Sequence, residues 1–421
     1  MKIVISTFGS LGDLYPYLEM GSLLSADGYE VTLATCMVYR ESVEKAGLQF
    51  KAIRPDFSFE EKDLLKKAMT LQTGSEVIVK DIIMVHIHDT YDDLLQACGG
   101  TDLLINHSYC YAGPLVAKKL NIKWISCNLS PTNYWSAMDP CVLPHSPATV
   151  RLTRMGYRFN AIFNRFIRFY TKRWCSNLYK LRQDIGSGDQ SQPLFEGQHS
   201  PYLVLALFSQ HFAAKQKDWP SQAKIPGFLR GGKSGSLADY PEIENFLDIY
   251  PEPIVIGLGS SVVVNPDVVY DAAVVAACKL KKGIILVAGQ GYQPKIEVDT
   301  SVLITGYIPY DILFPKAGVI VHHGGIGTTF ESIAAGKPIL VIPHSGDQPD
   351  NGYRLQKLGV GDYLFEKHLN ATTLKEKLEY LLNNPEILNA AVLLSEQVKM
   401  DNPSAVILRE VAVILEQKID G

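Results

Sequence analysis

The amino-acid sequence predicts an α/β protein of two domains, each built on a parallel sheet with helices on both faces. The chain has 421 residues, which is more than one hydrophobic core usually organises, and at roughly 150 residues per domain we expect two. Short apolar runs alternate with segments of helical spacing, as is typical of parallel sheets. This alternation begins afresh near residue 254. The two halves of the chain are therefore expected to resemble each other.

The first half opens with a predicted strand, a glycine loop and a helix. Residues 2–8 form a short apolar run rich in β-branched side chains, Gly9 and Gly12 punctuate a turn, and residues 14–24 carry apolar side chains at helical spacing. The same pattern continues with a predicted helix at 39–46 and strands at 30–35, 49–53, 102–106 and 123–128.

The second half repeats this opening. Residues 254–258 form a predicted strand, a loop rich in glycine and serine follows at 257–261, and residues 268–280 form a helix. Further strands are predicted at 284–288, 302–305, 319–322 and 339–342. Ligands of such open sheets bind beyond the carboxyl ends of the strands, so the expected site is a cleft between two facing sheets.

Glycine and serine also mark the boundary between the halves. Residues 231–236 are low in apolar side chains and are typical of a flexible linker. The last helix, predicted at 405–418, is expected to cross back to the first domain. The predicted organisation is an N-terminal domain at 1–230, a linker at 231–237, a C-terminal domain at 238–400 and a final segment at 401–421.

Composition excludes several classes of protein. Apolar residues make up 47% and charged residues 20% of the chain, which is typical of a compact globular protein. The net charge of −4 gives the whole molecule no long-range attraction for nucleic acid. The seven cysteines are scattered without a Cys-x-x-Cys pair, which favours a reducing compartment and no zinc site. No apolar run reaches the roughly 18 residues of a membrane span, so we expect a cytoplasmic protein.

One short motif could suggest a metal site. His86 and His88 precede Asp89, but in a helical segment residues two apart point to different faces. We therefore expect no metal there.

The most informative segment is the glycine-rich stretch 322–331, which follows a predicted strand and opens a helix. Glycines let the backbone approach a ligand closely, and the free amides and positive end of a helix favour an anion such as phosphate. His323 and Thr328 could add donors, and Glu331 could accept a hydrogen bond from a ribose hydroxyl. A simple tight turn before a helix remains the alternative at this point.

The next strand ends in a second polar loop. Asp347 and Gln348 stand side by side after the strand predicted at 339–342. An acid beside an amide can bind several hydroxyl groups of a sugar at once. Phosphate and sugar sites would then be adjacent.

The segment 322–351 resembles the nucleotide-sugar signature of the GT-B family 1 glycosyltransferases, which include plant and bacterial enzymes that use UDP- and dTDP-sugars. The resemblance implies the GT-B architecture, in which two Rossmann-like domains face each other, the first binding the acceptor and the second the nucleotide sugar. Within the family, 212–220 and 324–335 most resemble bacterial rhamnosyltransferase-like and sterol glucosyltransferase-like enzymes.

Carried over residue by residue, the resemblance implies a donor site. His323, Gly327 and Thr328 would hold the pyrophosphate, Glu331 the ribose, and Asp347 with Gln348 the transferred sugar. Residues 306–310 resemble the loop that stacks on the nucleobase, where Tyr307 stands in place of the plant tryptophan. The candidate donor-binding residues are Gly12, Ser260, Tyr307, Ile308, His323, Gly325, Gly327, Thr328, Glu331, Asp347 and Gln348.

Transfer to an alcohol needs a group that takes the hydroxyl proton. Asp13 follows the first strand and so lies at the ligand edge of the sheet, although an aspartate there can also be a helix N-cap. The segment 12–16 aligns with the loop that carries the catalytic base in the family, which favours Asp13 as base. His107, after the strand at 102–106, either assists Asp13 or lines the acceptor pocket.

These observations together predict an inverting glycosyltransferase that moves a hexose from a UDP- or dTDP-sugar to a hydroxyl of a largely apolar acceptor, such as a lipid, a sterol or a polyketide. The sequence has no Asp-x-Asp pair that would bridge a metal to the diphosphate, so we expect no divalent metal. Two rival hypotheses remain open: a nucleotide-sugar epimerase of the same architecture and a non-catalytic nucleotide-sugar-binding protein.

Residues 151–182 combine nine Lys or Arg with eight aromatic residues and no acidic residue. Such a stretch could contact an anionic membrane surface as a peripheral anchor. We expect instead that its apolar side chains pack in the first domain while its basic face is solvated.

Overall fold

The computed structural model describes residues 1–56, 62–144, 149–152, 154–230, 235–259, 266–288 and 292–417. Within these ranges the strands form two sheets, and every strand pairing is parallel. The predicted α/β class with two parallel sheets is therefore confirmed. Most of the predicted linker, 231–234, lies outside the described residues.

The first sheet has the order β3-β2-β1-β4-β5-β6-β7. Its strands are β1 Lys2–Ser6, β2 Glu30–Thr35, β3 Gln49–Ala52, β4 Leu103–His107, β5 Lys123–Asn128, β6 Leu203–Ala206 and β7 Ala223–Lys224. The second sheet has the order β10-β9-β8-β11-β12-β13. Its strands are β8 Ile254–Gly257, β9 Ile284–Val287, β10 Val302–Thr305, β11 Val319–His322, β12 Ile339–Val341 and β13 Gly361–Tyr363.

The helices of the described ranges connect these strands. They are α1 Leu11–Ala26, α2 Arg40–Lys45, α3 Lys62–Ala68, α4 Gly74–Glu76, α5 Ile87–Ala97, α6 Gly113–Leu120, α7 Thr149–Leu152, α8 Tyr157–Thr171, α9 Ser176–Asp184, α10 Pro241–Ile249, α11 Pro266–Leu280, α12 Tyr310–Leu313, α13 Ile326–Ala335, α14 Gln348–Lys357, α15 Ala371–Leu382, α16 Pro385–Lys399 and α17 Pro403–Glu416. A π-helical segment, Val77–Ile83, joins α4 to the turn before α5.

Alternate side chains of the second sheet pack into different cores, because successive residues of a strand point to opposite faces. Ile254 and Ile256 of β8 belong to one hydrophobic cluster, and Val255 between them belongs to another. Both faces of this sheet are therefore buried, as parallel sheets require. This arrangement leaves the carboxyl edge of the sheet as the place for a ligand.

In both sheets the chain builds outward from a central strand first to one side and then to the other. In the first sheet β1 pairs with β2 on one side and with β4 on the other, and in the second β8 lies between β9 and β11. The connections leave such a point in opposite directions, which opens a crevice at the carboxyl ends of the strands. The loops after β1 and β11 both start at such a crevice.

The last helix, α17, packs against the first domain. Its residues Ile407, Val411 and Ile414 belong to the same buried cluster as β1 and β4. The buried ammonium of Lys123, at the start of β5, donates hydrogen bonds to the carbonyls of Ile414 and Gln417. A cation is favourable at the negative end of a helix. The chain thus returns to the first sheet after completing the second.

Helix α8 corrects one expectation from the sequence. The apolar side chains of 151–182 were expected to pack inside the first domain, but the structure leaves several of those on α8 exposed, among them Phe159, Ile162, Phe166 and Phe169. The reason is that α8 carries apolar residues on more than one face, and only one face can meet the domain. Within the described ranges, no helix is both long enough and apolar enough to cross a lipid bilayer.

Candidate active site

A cavity of about 260 Å³ lies between the carboxyl ends of the two sheets. The first domain lines it with residues from 9–13, which follow β1, and with residues from 107–109, at the end of β4. The second domain lines it with residues from 323–328 and 345–348, which follow β11 and β12. The cleft predicted from the sequence therefore exists, and it brings together Gly12, Asp13, His107, His323, Gly325, Gly327, Thr328, Asp347 and Gln348.

Asp13 lies in the first turn of α1 and borders the cavity. The backbone N–H and the hydroxyl of Ser10 donate hydrogen bonds to its Oδ2, at 2.8 and 3.0 Å. Within the described contacts both bonds end on Oδ2, which leaves Oδ1 as the oxygen that can take a proton. The same carboxylate thus completes the capping box of α1, whose N-cap is Ser10, and borders the cavity.

Burial raises the pKa of the Asp13 carboxyl to about 6, and the two hydrogen bonds from Ser10 oppose that rise. A carboxylate with a raised pKa is a stronger base than an exposed one, and near neutral pH it is still mostly ionised. Gly9 makes this position possible. It has a φ of +134°, and a Cβ there would lie 2.3 Å from Asp13 Oδ2. A side chain at residue 9 would therefore push the carboxylate away.

His107 ends β4 and is buried beside this loop. Its ring lies 5.2 Å from the ring of Tyr17 and 5.1 Å from that of Tyr109, measured between centroids. Burial lowers the pKa of the imidazole to about 3, so the ring is neutral. Its Nδ1 lies 3.4 Å from the Thr7 hydroxyl, which in turn donates to the backbone carbonyl of Asp13. His107 is thus connected to the main chain at Asp13 and not to its carboxylate.

The glycine-rich loop ends at the N-terminus of α13, where Gly325 is the N-cap. Gly324 has a φ of +92°, and its N–H donates to Nδ1 of His322. The first turn of α13, with Gly327 and Thr328, borders the cavity. Amides at a helix N-terminus attract anions, so this wall of the cavity is suited to a phosphate.

The His323 ring is held between two glycines. A Cβ at Gly259 or at Gly325 would lie 2.4 Å from an atom of that ring. Burial lowers the pKa of His323 to about 3, and Nδ1 of the neutral ring has no hydrogen-bond partner among the described residues. A buried ring nitrogen without a partner is unfavourable unless a ligand supplies one. A diphosphate oxygen would do so.

The two domains also come close together at Gly12 and Gly327. A Cβ built on Gly327 would lie 3.6 Å from the Cα of Gly12. The N-terminal turns of α1 and α13 therefore meet at the cavity, and both helix dipoles present their positive ends there. No Lys or Arg belongs to the described lining. Any anion bound there would be stabilised chiefly by amides and helix ends.

Asp347 and Gln348 follow β12 and border the same cavity. Oε1 of Gln348 accepts hydrogen bonds from the N–H groups of His344 and Ser345, at 2.7 and 3.0 Å, so its amide NH₂ is left to donate to a ligand. Burial raises the pKa of Asp347 to about 6, and the charge of Asp13 adds to that rise. The carboxyl groups of Asp13 and Asp347 therefore interact electrostatically.

Asn351 joins the loop after β11 to the loop after β12, a contact that sequence reasoning missed. Its Nδ2 donates to the carbonyl of Gly324 at 2.9 Å and to Oδ2 of Asp347 at 3.0 Å. The residue ends the motif that carried the family resemblance, and its position one turn after Asp347 was the available signal. It fixes the loop after β12 relative to the loop after β11.

Four predicted donor residues lie away from this cavity or cannot be placed. Glu331 accepts two hydrogen bonds from Arg230, at 3.2 and 2.6 Å, and both carboxylate oxygens are engaged. Tyr307 is 74% exposed, and its hydroxyl interacts with that of Tyr15 in the first domain. Ile308 is buried in the core of the second domain. Ser260 lies outside the described residues.

A second cavity, of about 490 Å³, adjoins the first. The two share lining residues Tyr109, Asn133, Gly346 and Asp347. Its other walls are mostly apolar and include side chains of α8 and the indole of Trp174. Trp174 is buried, and its Nε1 has no hydrogen-bond partner among the described residues. Sequence reasoning missed this cavity, because its walls come from segments scattered between residues 75 and 347.

Among the residues that the structure describes, no group of three or more His, Cys, Asp or Glu is arranged to hold a metal ion. His86 Nδ1 lies 3.6 Å from Asp89, whereas His88 Nε2 lies 3.3 Å from Asp184. These two histidines therefore have different acidic neighbours.

Two family models match the two halves of the chain. The glycosyltransferase family 28 N-terminal domain matches residues 3–126, and the erythromycin biosynthesis protein CIII-like C-terminal domain matches residues 272–417. The fold and the cleft therefore belong to a glycosyltransferase with the GT-B fold. These matches, together with the relatives described next, support a family 1 glycosyltransferase, and the chain is an enzyme of the hexosyltransferase class.

Individual relatives agree with this assignment. The chain is 28% identical over 376 residues to O-mycaminosyltylonolide 6-deoxyallosyltransferase of Streptomyces fradiae, covering 85% of this chain and 84% of that protein. It is 26% identical over 428 residues to sterol 3-beta-glucosyltransferase of Leptosphaeria maculans, covering 98% of this chain and 28% of that protein. The chain thus spans less than a third of the length of that fungal relative.

Solved structures share the fold. The glycotransferase of kitacinnamycin superposes with a TM-score of 0.73 at 18% identity, covering 97% of this chain and 98% of that chain. The glycosyltransferase VinC in complex with dTDP superposes with a TM-score of 0.67 at 16% identity, covering 99% of this chain and all of that chain. The GT-B architecture predicted from the sequence is therefore confirmed.

Proposed function

We propose that this enzyme transfers a hexose from a UDP- or dTDP-sugar to a hydroxyl of an apolar acceptor, with inversion and with Asp13 as general base. One observation carries the proposal: Asp13, the N-terminus of α13 and the Asp347–Gln348 pair border a single cavity, which adjoins a larger apolar one. A base, an anion site and a sugar site are what a one-step transfer requires.

The proposed chemistry is a single displacement. The acceptor hydroxyl gives its proton to Asp13 as its oxygen bonds to the anomeric carbon. The bond from that carbon to the diphosphate oxygen breaks, and the electron pair leaves with the diphosphate. The amides at the start of α13, His323 and the Thr328 hydroxyl would stabilise the growing negative charge. Attack from the face opposite the diphosphate inverts the anomeric configuration.

His107 is proposed to line the site and to position the Asp13 loop. Its neutral ring interacts with the Thr7 hydroxyl, which holds the backbone carbonyl of Asp13. With the pKa lowered to about 3, the imidazole is a weak base. The more basic Asp13 carboxylate is therefore the better candidate to take the proton.

The second cavity is proposed to bind the acceptor. Its apolar walls favour a hydrophobic body, and Tyr109, Asn133 and Asp347 at the shared boundary can orient a hydroxyl toward Asp13. The relatives named for sterol and macrolide-type acceptors support this choice of acceptor class. The neighbouring structure with bound dTDP supports a pyrimidine nucleotide donor.

Transfer is also proposed to need no divalent metal, because the paired N-termini of α1 and α13 can stabilise the diphosphate. The test is a thermal-shift panel of UDP- and dTDP-sugars with and without EDTA, followed by mass spectrometry of reactions with sterol, polyketide and lipid alcohols. We expect a donor that stabilises the protein, EDTA-resistant product, and an inverted anomeric signal in the product NMR spectrum. Isomerisation of the donor without acceptor would instead indicate an epimerase, and binding without product a sensor.

The raised pKa of Asp13 predicts the pH dependence of transfer. Because a base must be deprotonated to accept a proton, kcat should fall as the pH drops through about 6. Well below that pKa the fall should approach roughly tenfold per pH unit, and above it kcat should be level until other groups titrate. Initial rates at saturating donor and acceptor between acidic and neutral pH measure this. A kcat that stays constant well below pH 6 would contradict Asp13 as the base.

A further inference from the structure

Helix α8 has two apolar faces with different surroundings. Phe163 and Ile167 line the apolar cavity next to the reaction site. On the neighbouring side of the helix, Phe159, Ile162, Phe166 and Phe169 recur at spacings of three and four residues, which places them in one stripe. Ile162 is 71%, Phe166 60% and Phe169 78% exposed. We call this stripe of four residues the outer face of α8.

A stripe of large exposed apolar side chains is unfavourable in water and usually marks an interaction surface. Further exposed apolar side chains, Met155 and Tyr157, extend it at the start of the helix. Scattered single residues of this kind are ordinary, but here the exposed residues fall on consecutive turns of one helix. We therefore expect a binding partner to cover the outer face.

The charges around the outer face indicate the chemistry of that binding partner. Residues 151–182 contain nine Lys or Arg and no Asp or Glu. Arg158 and Arg165 flank the stripe and have no acidic partner among the residues that the structure describes, whereas Arg168 pairs with Glu196. A second copy of this chain would bring the same positive charges together, which is repulsive. An anionic surface with an apolar interior is complementary to both features.

We propose that the outer face of α8 docks on an anionic lipid bilayer. An interfacial helix lies in the plane of the membrane with its apolar residues below the headgroups and its basic residues among them. Because the other face of α8 walls the apolar cavity, docking holds that cavity at the membrane. The acceptor is then a lipid alcohol taken from the bilayer, a conclusion that rests on the proposed function.

The test is co-sedimentation of the full chain with vesicles, without any donor. Vesicles of phosphatidylcholine are compared with vesicles that contain about one third phosphatidylglycerol, at low and high salt. We expect binding to the anionic vesicles at low salt and its loss at high salt. Phe166→Glu with Phe169→Glu should weaken this binding by roughly tenfold or more, and Arg158→Glu with Arg165→Glu by roughly tenfold or more.

Leu393→Glu is the matched control, because Leu393 is also largely exposed on a helix but lies on α16 in the second domain. This variant should bind vesicles like the unaltered chain. Phe166 and Phe169 border neither cavity, so their double variant should still transfer sugar to a detergent-dispersed acceptor while losing transfer to the same acceptor in vesicles.

Three results would overturn the docking proposal. These are equal binding to neutral and anionic vesicles, unchanged binding by the Phe166/Phe169 variant, and a dimer in light scattering that this variant dissolves while no vesicle binds. Vesicle binding is measured without transfer, so its absence in an active enzyme refutes docking alone. Binding without transfer to any acceptor would refute the proposed function instead.

Discussion

Asp13→Asn is expected to lower kcat by roughly a thousandfold while leaving the binding of the nucleotide sugar nearly unchanged. Asparagine keeps the shape of the side chain and can still accept the hydrogen bonds from Ser10, but it cannot take the proton of an acceptor hydroxyl. Steady-state rates measure the loss, and a thermal shift with donor measures the binding. Near-normal turnover would show that another group is the base.

The chain supplies a control with the same local geometry. In the second domain the N–H of Ser236 donates to Oδ2 of Asp239 at 2.9 Å, as the N–H of Ser10 does to Asp13 at 2.8 Å. Asp239 is the N3 residue of the short helical turn Leu237–Asp239, which Ser236 caps, and it does not border the cavity. Asp239→Asn therefore reports the effect of weakening such a cap, and it should leave kcat unchanged. An equal loss in both variants would point to folding rather than catalysis.

The position of Asp13 could be predicted from the sequence because several local sequence patterns around it indicate the same structure. A β-rich run, two glycines and a helical repeat place residue 13 at the ligand edge of a parallel sheet. The alternative that Asp13 is the helix N-cap is wrong, because Ser10 is the N-cap and Asp13 is the N3 residue of its capping box. That position does not compete with the proposed role as base, since the carboxylate that accepts from Ser10 also borders the cavity. The glycine-rich loop after β11 was predictable for the same reason.

Contacts between distant segments were beyond sequence reasoning. Glu331 was predicted to bind a ribose, but Arg230, 101 residues earlier, holds both its carboxylate oxygens. Strands β6, β7 and β13 were also missed. They have only two to four residues each, which is too short for a periodic pattern to stand out. Their place is set by pairing with neighbouring strands, which single-sequence patterns do not encode.

A buried ion cluster between the domains could not be predicted from the sequence either. It is the basis of the second prediction with a large expected effect. Arg354 of α14 is buried, donates through Nε to Oδ2 of Asp350 at 2.6 Å, and also pairs with Asp139 of the first domain. Asp350 is fully buried, and its Oδ1 accepts the N–H of Val142, also from the first domain. The helix that follows the Asp347 loop is thereby fixed to the first domain.

Arg354→Met is expected to lower the free energy of unfolding by about 3–5 kcal/mol, because it leaves the buried Asp350 carboxylate without its compensating charge. Lys357→Met is the control: Lys357 pairs with the same Asp139 from an exposed position, and its loss should cost about 0–1 kcal/mol. Urea unfolding followed by circular dichroism measures both changes.

A double variant separates the charge from the packing of the arginine side chain. Asp350→Asn keeps an oxygen for the Val142 N–H but removes the buried charge, so in the Arg354→Met background it should recover part of the lost stability. Because α14 begins at Gln348, the donor KM should rise in Arg354→Met and recover in the double variant. If Arg354→Met is as mild as Lys357→Met, or if Asp350→Asn destabilises it further, the cluster does not hold the two domains together by compensating a buried charge.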